Sequence, residues 1–143
     1  MFPSRQESSG KLTETASFKQ FLTMYSDRKE LSENKLAQGA RITQKRLNNI
    51  SNNVTKSVKI PILVALCLVL ELTMDEAKDL MARKERALSP ANPDHRIYAE
   101  LIELYSRRNT NYIENPEALK TALDEADEFL ERNHAEELPN CYK

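Results

Sequence analysis

Leu31-Ser32-Glu33-Asn34-Lys35-Leu36-Ala37 and, after Gln38-Gly39-Ala40-Arg41, the run Ile42-Thr43-Gln44-Lys45-Arg46-Leu47-Asn48-Asn49-Ile50 decide the fold. Ser32 is a good helix cap, and Leu36, Ala37 and Ala40 supply the apolar side of a short helix. Arg41 breaks that pattern. Thr43 then caps another helix whose Leu47 and Ile50 face inward, leaving Gln44, Lys45, Asn48 and Asn49 outside. Ser51-Asn52-Asn53 ends it, because asparagine tolerates the left-handed conformation that helix ends use. The reading is a helix, a tight turn and a second helix.

The charge around this unit is one-sided. Between Asn34 and Leu70 stand Lys35, Arg41, Lys45, Arg46, Lys56 and Lys59 with no acid, although the whole chain has 21 bases, 22 acids and a net charge of -1. Residues 1–60 hold 11 bases and 5 acids, and residues 61–143 hold 10 bases and 17 acids. The first part is suited to a polyanion and the second to protein or water. A local basic field on a pair of short helices is what a duplex rewards, through neutralised phosphates and released counterions.

Outward from the central unit, helix signals continue. Ser17 and Gln20 form a capping box ahead of Phe18, Phe21, Leu22 and Tyr25, which predicts a first helix to about Lys29. Residues 1–16 are polar and without a helical stripe, and read as a flexible tail. Val54 to Lys59 is a basic linker into a helix from about Ile60 to Leu72, apolar around most of its circumference and therefore expected at the centre of the core. Thr73 and Glu76 box the start of a fifth helix ending near Ala87. Ser89-Pro90-Ala91-Asn92-Pro93 marks a boundary. Beyond it, Asp94 is positioned to cap a helix with Ile97, Leu101, Leu104 and Tyr105 on one face, and Asn115-Pro116 opens a last helix with the stripe Leu119, Ala122, Leu123, Ala126, Phe129, Leu130. With two glycines, no tryptophan and few β-branched alternations, the chain is expected to be all-α.

The central residues, together with Ile62 to Leu72 and Thr73-Met74-Asp75-Glu76-Ala77, resemble the lambda-repressor-like (XRE-type) helix-turn-helix DNA-binding family over roughly Ser17 to Ala87, about half the chain. The resemblance implies a five-helix domain over residues 17–88, and the helix signals beyond it add a two-helix extension over 89–143. The resemblance also implies a sequence-specific transcriptional regulator that reads the major groove of double-stranded DNA with its third helix. Gln44, Lys45 and Asn49 would then lie nearest base edges, with Asn48 a secondary candidate. Thr43, Asn52, Lys56 and Lys59 would meet phosphates, and Arg46 would serve either role or face solvent. Two residues depart from the family's pattern. Arg41 stands where glycine is usual, so it must take a positive φ at some cost or the turn must differ. Glu33 stands where the family often has a phosphate-touching glutamine, and a carboxylate there would repel DNA.

Such domains commonly bind two half-sites as symmetric dimers, so a homodimer through residues 94–133 is one expected use of the acidic last helix; folding back on the first domain is the other. The alternative function is a protein-interaction module on the same scaffold, antitoxin-like or a phage-encoded inhibitor, without DNA binding. RNA binding is disfavoured by the lack of aromatic side chains on the basic face. Enzyme chemistry has little to stand on. His95 and His134 lack companions at a catalytic spacing, Gly10 and Gly39 form no phosphate loop, and Cys67 in an apolar run reads as core. Cys67 and Cys141 fit neither a disulfide framework nor a metal site, so no cofactor, metal or small molecule is implied and a reducing cytoplasm fits. The apolar stretch Ile60 to Leu70 is too short to cross a bilayer.

Overall fold

The computed structural model describes residues 16–54 and 57–143; the tail expected over 1–16, up to residue 15, and Lys56 lie outside the described residues. The described chain is all-helical: α1 (Phe18–Arg28), α2 (Glu33–Ala40), α3 (Gln44–Ser51), α4 (Ile60–Val69), α5 (Met74–Ala82), α6 (Pro93–Ser106), α7 (Pro116–Lys120) and α8 (Asp124–Arg132). No helix among the described residues is long and apolar enough to cross a membrane.

Helix starts follow local chemistry. Ser17 accepts from the Gln20 amide while the Gln20 side chain accepts from the Ser17 amide, and Thr73 and Glu76 repeat this reciprocal box. Ser32 and Thr43 cap α2 and α3 through the amides of Lys35 and Arg46. At α6 the cap is Asn92 rather than Asp94. Its side chain accepts from the amides of Asp94 and His95, and Pro93 occupies the first turn, where a missing N–H costs nothing.

Helix ends are less usual. Glu30, Arg41, Asn53, Glu71, Glu85 and His134 all have positive φ, between 53° and 61°, and none is glycine. After each, the next amide reaches back to a carbonyl of the last turn, as Ile42 does to Ala37 and Leu72 does to Cys67, so orphan carbonyls are satisfied. These reversals stop α4 at Val69 and α5 at Ala82, short of the expected Leu72 and Ala87. Where the side chain is exposed and makes no contact, the left-handed conformation is only a cost. Glu85→Gly is therefore expected to stabilise the protein by about 0.5–1 kcal/mol, the relief of strain less the added freedom of the unfolded chain, read as a higher denaturant midpoint.

From Ile62 to Val69 every residue of α4 is buried, and α2, α5 and α6 surround it. α6 presents Tyr98, Leu101, Ile102 and Tyr105 to this core; Leu104, expected on that face, is 48% exposed, and Ile97 is only partly buried. The expected last helix is broken in two. The Tyr105 hydroxyl donates to Ala122 O at 2.7 Å and accepts from Ala126 N at 3.2 Å. It stands between the two groups that an unbroken helix would pair with each other, and a side chain inserted in the ladder ends it.

Leu119, Ala122, Leu123, Ala126 and Leu130 are buried in the same core as Phe18 to Met81, so the extension folds back on the first five helices. The stripe that a dimer would have used is covered by the chain itself. α7 approaches α2 at Gly39, where a Cβ would come within 2.6 Å of Leu119 Cδ1 and 3.1 Å of Val69 Cγ1. The glycine in α2 permits that approach. Ala16, assigned to the tail, is buried, and its carbonyl accepts from Arg83 at 3.0 Å.

Candidate nucleic-acid interface

α2 and α3 are joined by residues 41–43, and α3 is held from behind by Leu47 and Ile50, both with no exposed surface. Burying these two residues, with Ser51, fixes which face looks outward. Thr43, Gln44, Lys45, Arg46 and Asn48 are exposed on it and Asn49 is half-buried. The Thr43 hydroxyl accepts from Arg46 N at 3.0 Å and so serves the helix start. Lys45 and Arg46 make no ion pair among the described residues, and the same holds for Lys59, the exposed cap residue of α4.

The amides at the C-terminal end of α3 are engaged with one another. Asn52 donates from Nδ2 to Asn48 O at 3.0 Å and to Asn48 Oδ1 at 3.1 Å. Its own Oδ1 accepts from Lys19 Nζ at 3.0 Å, which brings the start of α1 to this edge. Asn48 Nδ2 lies 3.5 Å from Glu33 Oε1, a long contact that puts a carboxylate beside the face. Of the residues assigned from sequence, Gln44, Lys45, Arg46 and Asn48 share one exposed surface with Thr43. Asn52 borders it through its bonds to Asn48, Lys59 is exposed at the start of α4, and Asn49 is partly withdrawn.

Two residues that bear on this surface, Lys19 and Lys84, were not distinguishable in the sequence, and a third, Arg41, has a partner the sequence did not show. Lys19 joins it through Asn52. Lys84 lies behind it, 7% exposed, donating to Ile50 O at 2.6 Å and Asn53 Oδ1 at 2.8 Å with its ammonium 5.0 Å from the Phe18 ring centroid. A cation at the C-terminal carbonyls of α3 favours the helix through its dipole, while burial holds the Lys84 pKa below the ordinary lysine value. Arg41, counted with the basic window, is turned away from it. Its guanidinium binds Asp127 of α8 through two bonds of 2.6 and 2.8 Å. Each of these roles depends on a partner far along the chain, which no spacing in the sequence signals.

No family model matches the chain, and neither the curated proteins nor the solved structures contain a significant match to it.

Proposed function

We propose that the protein is a sequence-specific double-stranded DNA-binding regulator of transcription, on a lambda-repressor-like helix-turn-helix scaffold, that reads the major groove with α3. The supporting observation is the outward face of α3. Gln44, Lys45, Arg46 and Asn48 are exposed there, and both cations lack an ionic partner among the described residues. Cations left unpaired beside amide side chains suit a duplex, since lysine and arginine meet phosphates and guanine acceptors while amides read adenine. Lys59, at the N-terminus of α4, adds a charge where helix amides favour anions. Lys56 belongs to the same linker by sequence.

The test is selection of bound fragments from random duplex DNA, followed by affinity measurements across salt concentrations. Gln44→Ala is expected to cost about 1–3 kcal/mol on the selected site and little elsewhere, whereas Lys59→Ala weakens binding to all sequences and lowers the salt slope by about 1. Absence of affinity for any duplex at low salt would sink the reading. A homodimer through residues 94–133 would have to use what remains exposed there, such as Leu104 and Ile113, and a two-fold symmetric selected site would support it.

The carboxylate of Glu33 beside Asn48 favours a second reading, a protein-interaction module without DNA binding. In that case Lys45→Ala and Lys59→Ala leave affinity for a co-purifying protein unchanged. Under the first reading Glu33→Gln strengthens duplex binding by removing a like charge from the interface.

A further inference from the structure

We infer that Arg41 is a positioning residue through which the C-terminal segment holds the turn that aims α3, so that docking of this segment is linked to recognition by the proposed DNA-reading face. The inference rests on that reading for its functional consequence, though not for its geometry.

Arg41 has φ 60° and ψ 40°, the left-handed conformation that side chains other than glycine adopt at a cost. The turn depends on it. With Arg41 in this state its amide donates to Gln38 O at 3.2 Å and the Ile42 amide to Ala37 O at 3.1 Å, which ends α2 and starts the chain toward Thr43. The side chain is held by a clamp made wholly from the extension. Nη1 and Nη2 donate to the two carboxylate oxygens of Asp127, and Nε donates to Pro139 O at 3.0 Å. The carbonyl of Arg41 in turn accepts from Cys141 N at 2.9 Å. Between the last two contacts and α8 lies Leu138, 4% exposed, which seats the segment in the core.

Four bonds from three separate points thus converge on the one strained residue between α2 and α3. A planar fork bound at both oxygens of a carboxylate fixes direction as well as distance. The Arg41 side chain is only 12% exposed, so water competes weakly for the pair even though Asp127 itself is 42% exposed. By contrast, Glu30, Glu85 and His134, which share the backbone conformation, have no side-chain hydrogen bond or ion pair among the described residues. The clamp offsets for arginine the left-handed cost that the absence of a Cβ removes for glycine. Linkage then runs both ways. If the docked segment favours the turn, a ligand that requires the turn favours the docked segment.

The test uses the full chain, with Asp127→Ala, Arg41→Gly and the two combined. Hydrogen exchange at the Ile42 amide reports the turn, and a buried α4 amide such as Leu66 reports global opening. Asp127→Ala is expected to speed Ile42 exchange by about tenfold, the scale of one left-handed penalty, without changing Leu66. Arg41→Gly combined with Asp127→Ala is expected to restore wild-type exchange, because glycine needs no clamp. On the selected duplex, Asp127→Ala should weaken binding several-fold with an unchanged salt slope, and the combined variant should recover it. Loss of a carboxylate would by itself strengthen binding to a polyanion, so a fall reports geometry. Unchanged Ile42 exchange in Asp127→Ala, or no recovery in the combined variant, overturns the inference. Faster Ile42 exchange with unchanged or tighter duplex binding overturns the link to recognition. If the wild type binds no duplex, the proposed function fails, and the exchange measurements still decide whether the clamp holds the turn.

Discussion

Raising the pH from 9 toward about 12 is expected to unfold the protein, because one buried thiol and four buried tyrosines hold their protons longer in the fold than in the free chain. Burial is the first cause in every case. It pushes the Cys67 thiol up to about 12 from 9.0 and Tyr25 up to about 12 from 10.0, the latter with help from the nearby carboxylates of Glu76 and Asp79. Tyr98 and Tyr112 are raised further. Besides burial, Glu136 and Asp94 act on Tyr98, and Glu71 acts on Tyr112. Tyr105 is raised by burial against the opposing charge of Arg108. The hydroxyls of Tyr98, Tyr105 and Tyr112 donate to the carbonyls of Glu136, Ala122 and Val69, at 2.8, 2.7 and 2.7 Å. A phenolate cannot make those bonds and would face a carbonyl dipole instead.

Above 9 for the thiol, and above 10 for the phenols, the unfolded chain releases protons that the folded chain still holds. Stability is therefore complete below 9 and falls through the interval up to the folded pKa values. Lys84 acts in the opposite direction, since its pKa is lowered by burial and stability rises as pH approaches the ordinary 10.5. One such group does not offset five. The measurement is the denaturant midpoint as a function of pH, alongside tyrosinate absorbance. Ionisation of these tyrosines near 10 with the helical signal intact would contradict the expectation.

Glu71→Ala is expected to cost about 3–5 kcal/mol, because it breaks a buried ion pair from one side and strands the other charge. Glu71 is 8% exposed, at the left-handed end of α4. Its Oε1 accepts from Lys29 Nζ at 2.5 Å and Thr110 N at 3.0 Å, and its Oε2 accepts from Thr110 Oγ1 at 2.6 Å. Lys29 is also bonded to Thr110 O at 3.0 Å and stands 5.7 Å from the Tyr112 ring centroid. The network ties α1 and α4 to the segment between α6 and α7. Removing the carboxylate leaves an ammonium with one carbonyl, and an amide and a hydroxyl with no acceptor. Alanine also inherits the positive φ without relief. Combining Glu71→Leu with Lys29→Met should recover a large part of the loss, since an apolar pair carries no stranded charge, although the Thr110 amide still lacks a partner. A double-mutant cycle by chemical denaturation measures this. Simple additivity of the two single losses would show that the groups do not act as a pair.

Much of the secondary structure was legible for a physical reason. The start of α1, α2, α3 and α5 depends on a cap and an amide three residues on, so Ser17, Ser32, Thr43 and Thr73 announce their helices from sequence. The centrality of α4 was equally plain, since a run apolar on all sides has nowhere else to go. α6 was harder. Ile97, Leu101, Leu104 and Tyr105 make as good a stripe as Tyr98, Leu101, Ile102 and Tyr105, and only the position of α4 chooses the second. The break between α7 and α8 was invisible because its cause, the Tyr105 hydroxyl, comes from another helix.

The candidate surface divides in the same way. Thr43, Gln44, Lys45, Arg46 and Asn48 are exposed because Leu47 and Ile50 must be buried, a consequence of periodicity within one short helix. The sequence by itself thus determined the helical character of the described chain, the caps of α1, α2, α3 and α5, and the acid-free character of α3. Tertiary structure alone decided that the acidic extension packs on α2, α4 and α5, and that Asn48 and Asn52 bond to each other. It also decided that Lys84 grips the end of α3 and that Arg41 answers to Asp127, 86 positions away. Caps and periodicities act within four or five residues and leave a trace in spacing, whereas a partner brought by folding leaves none.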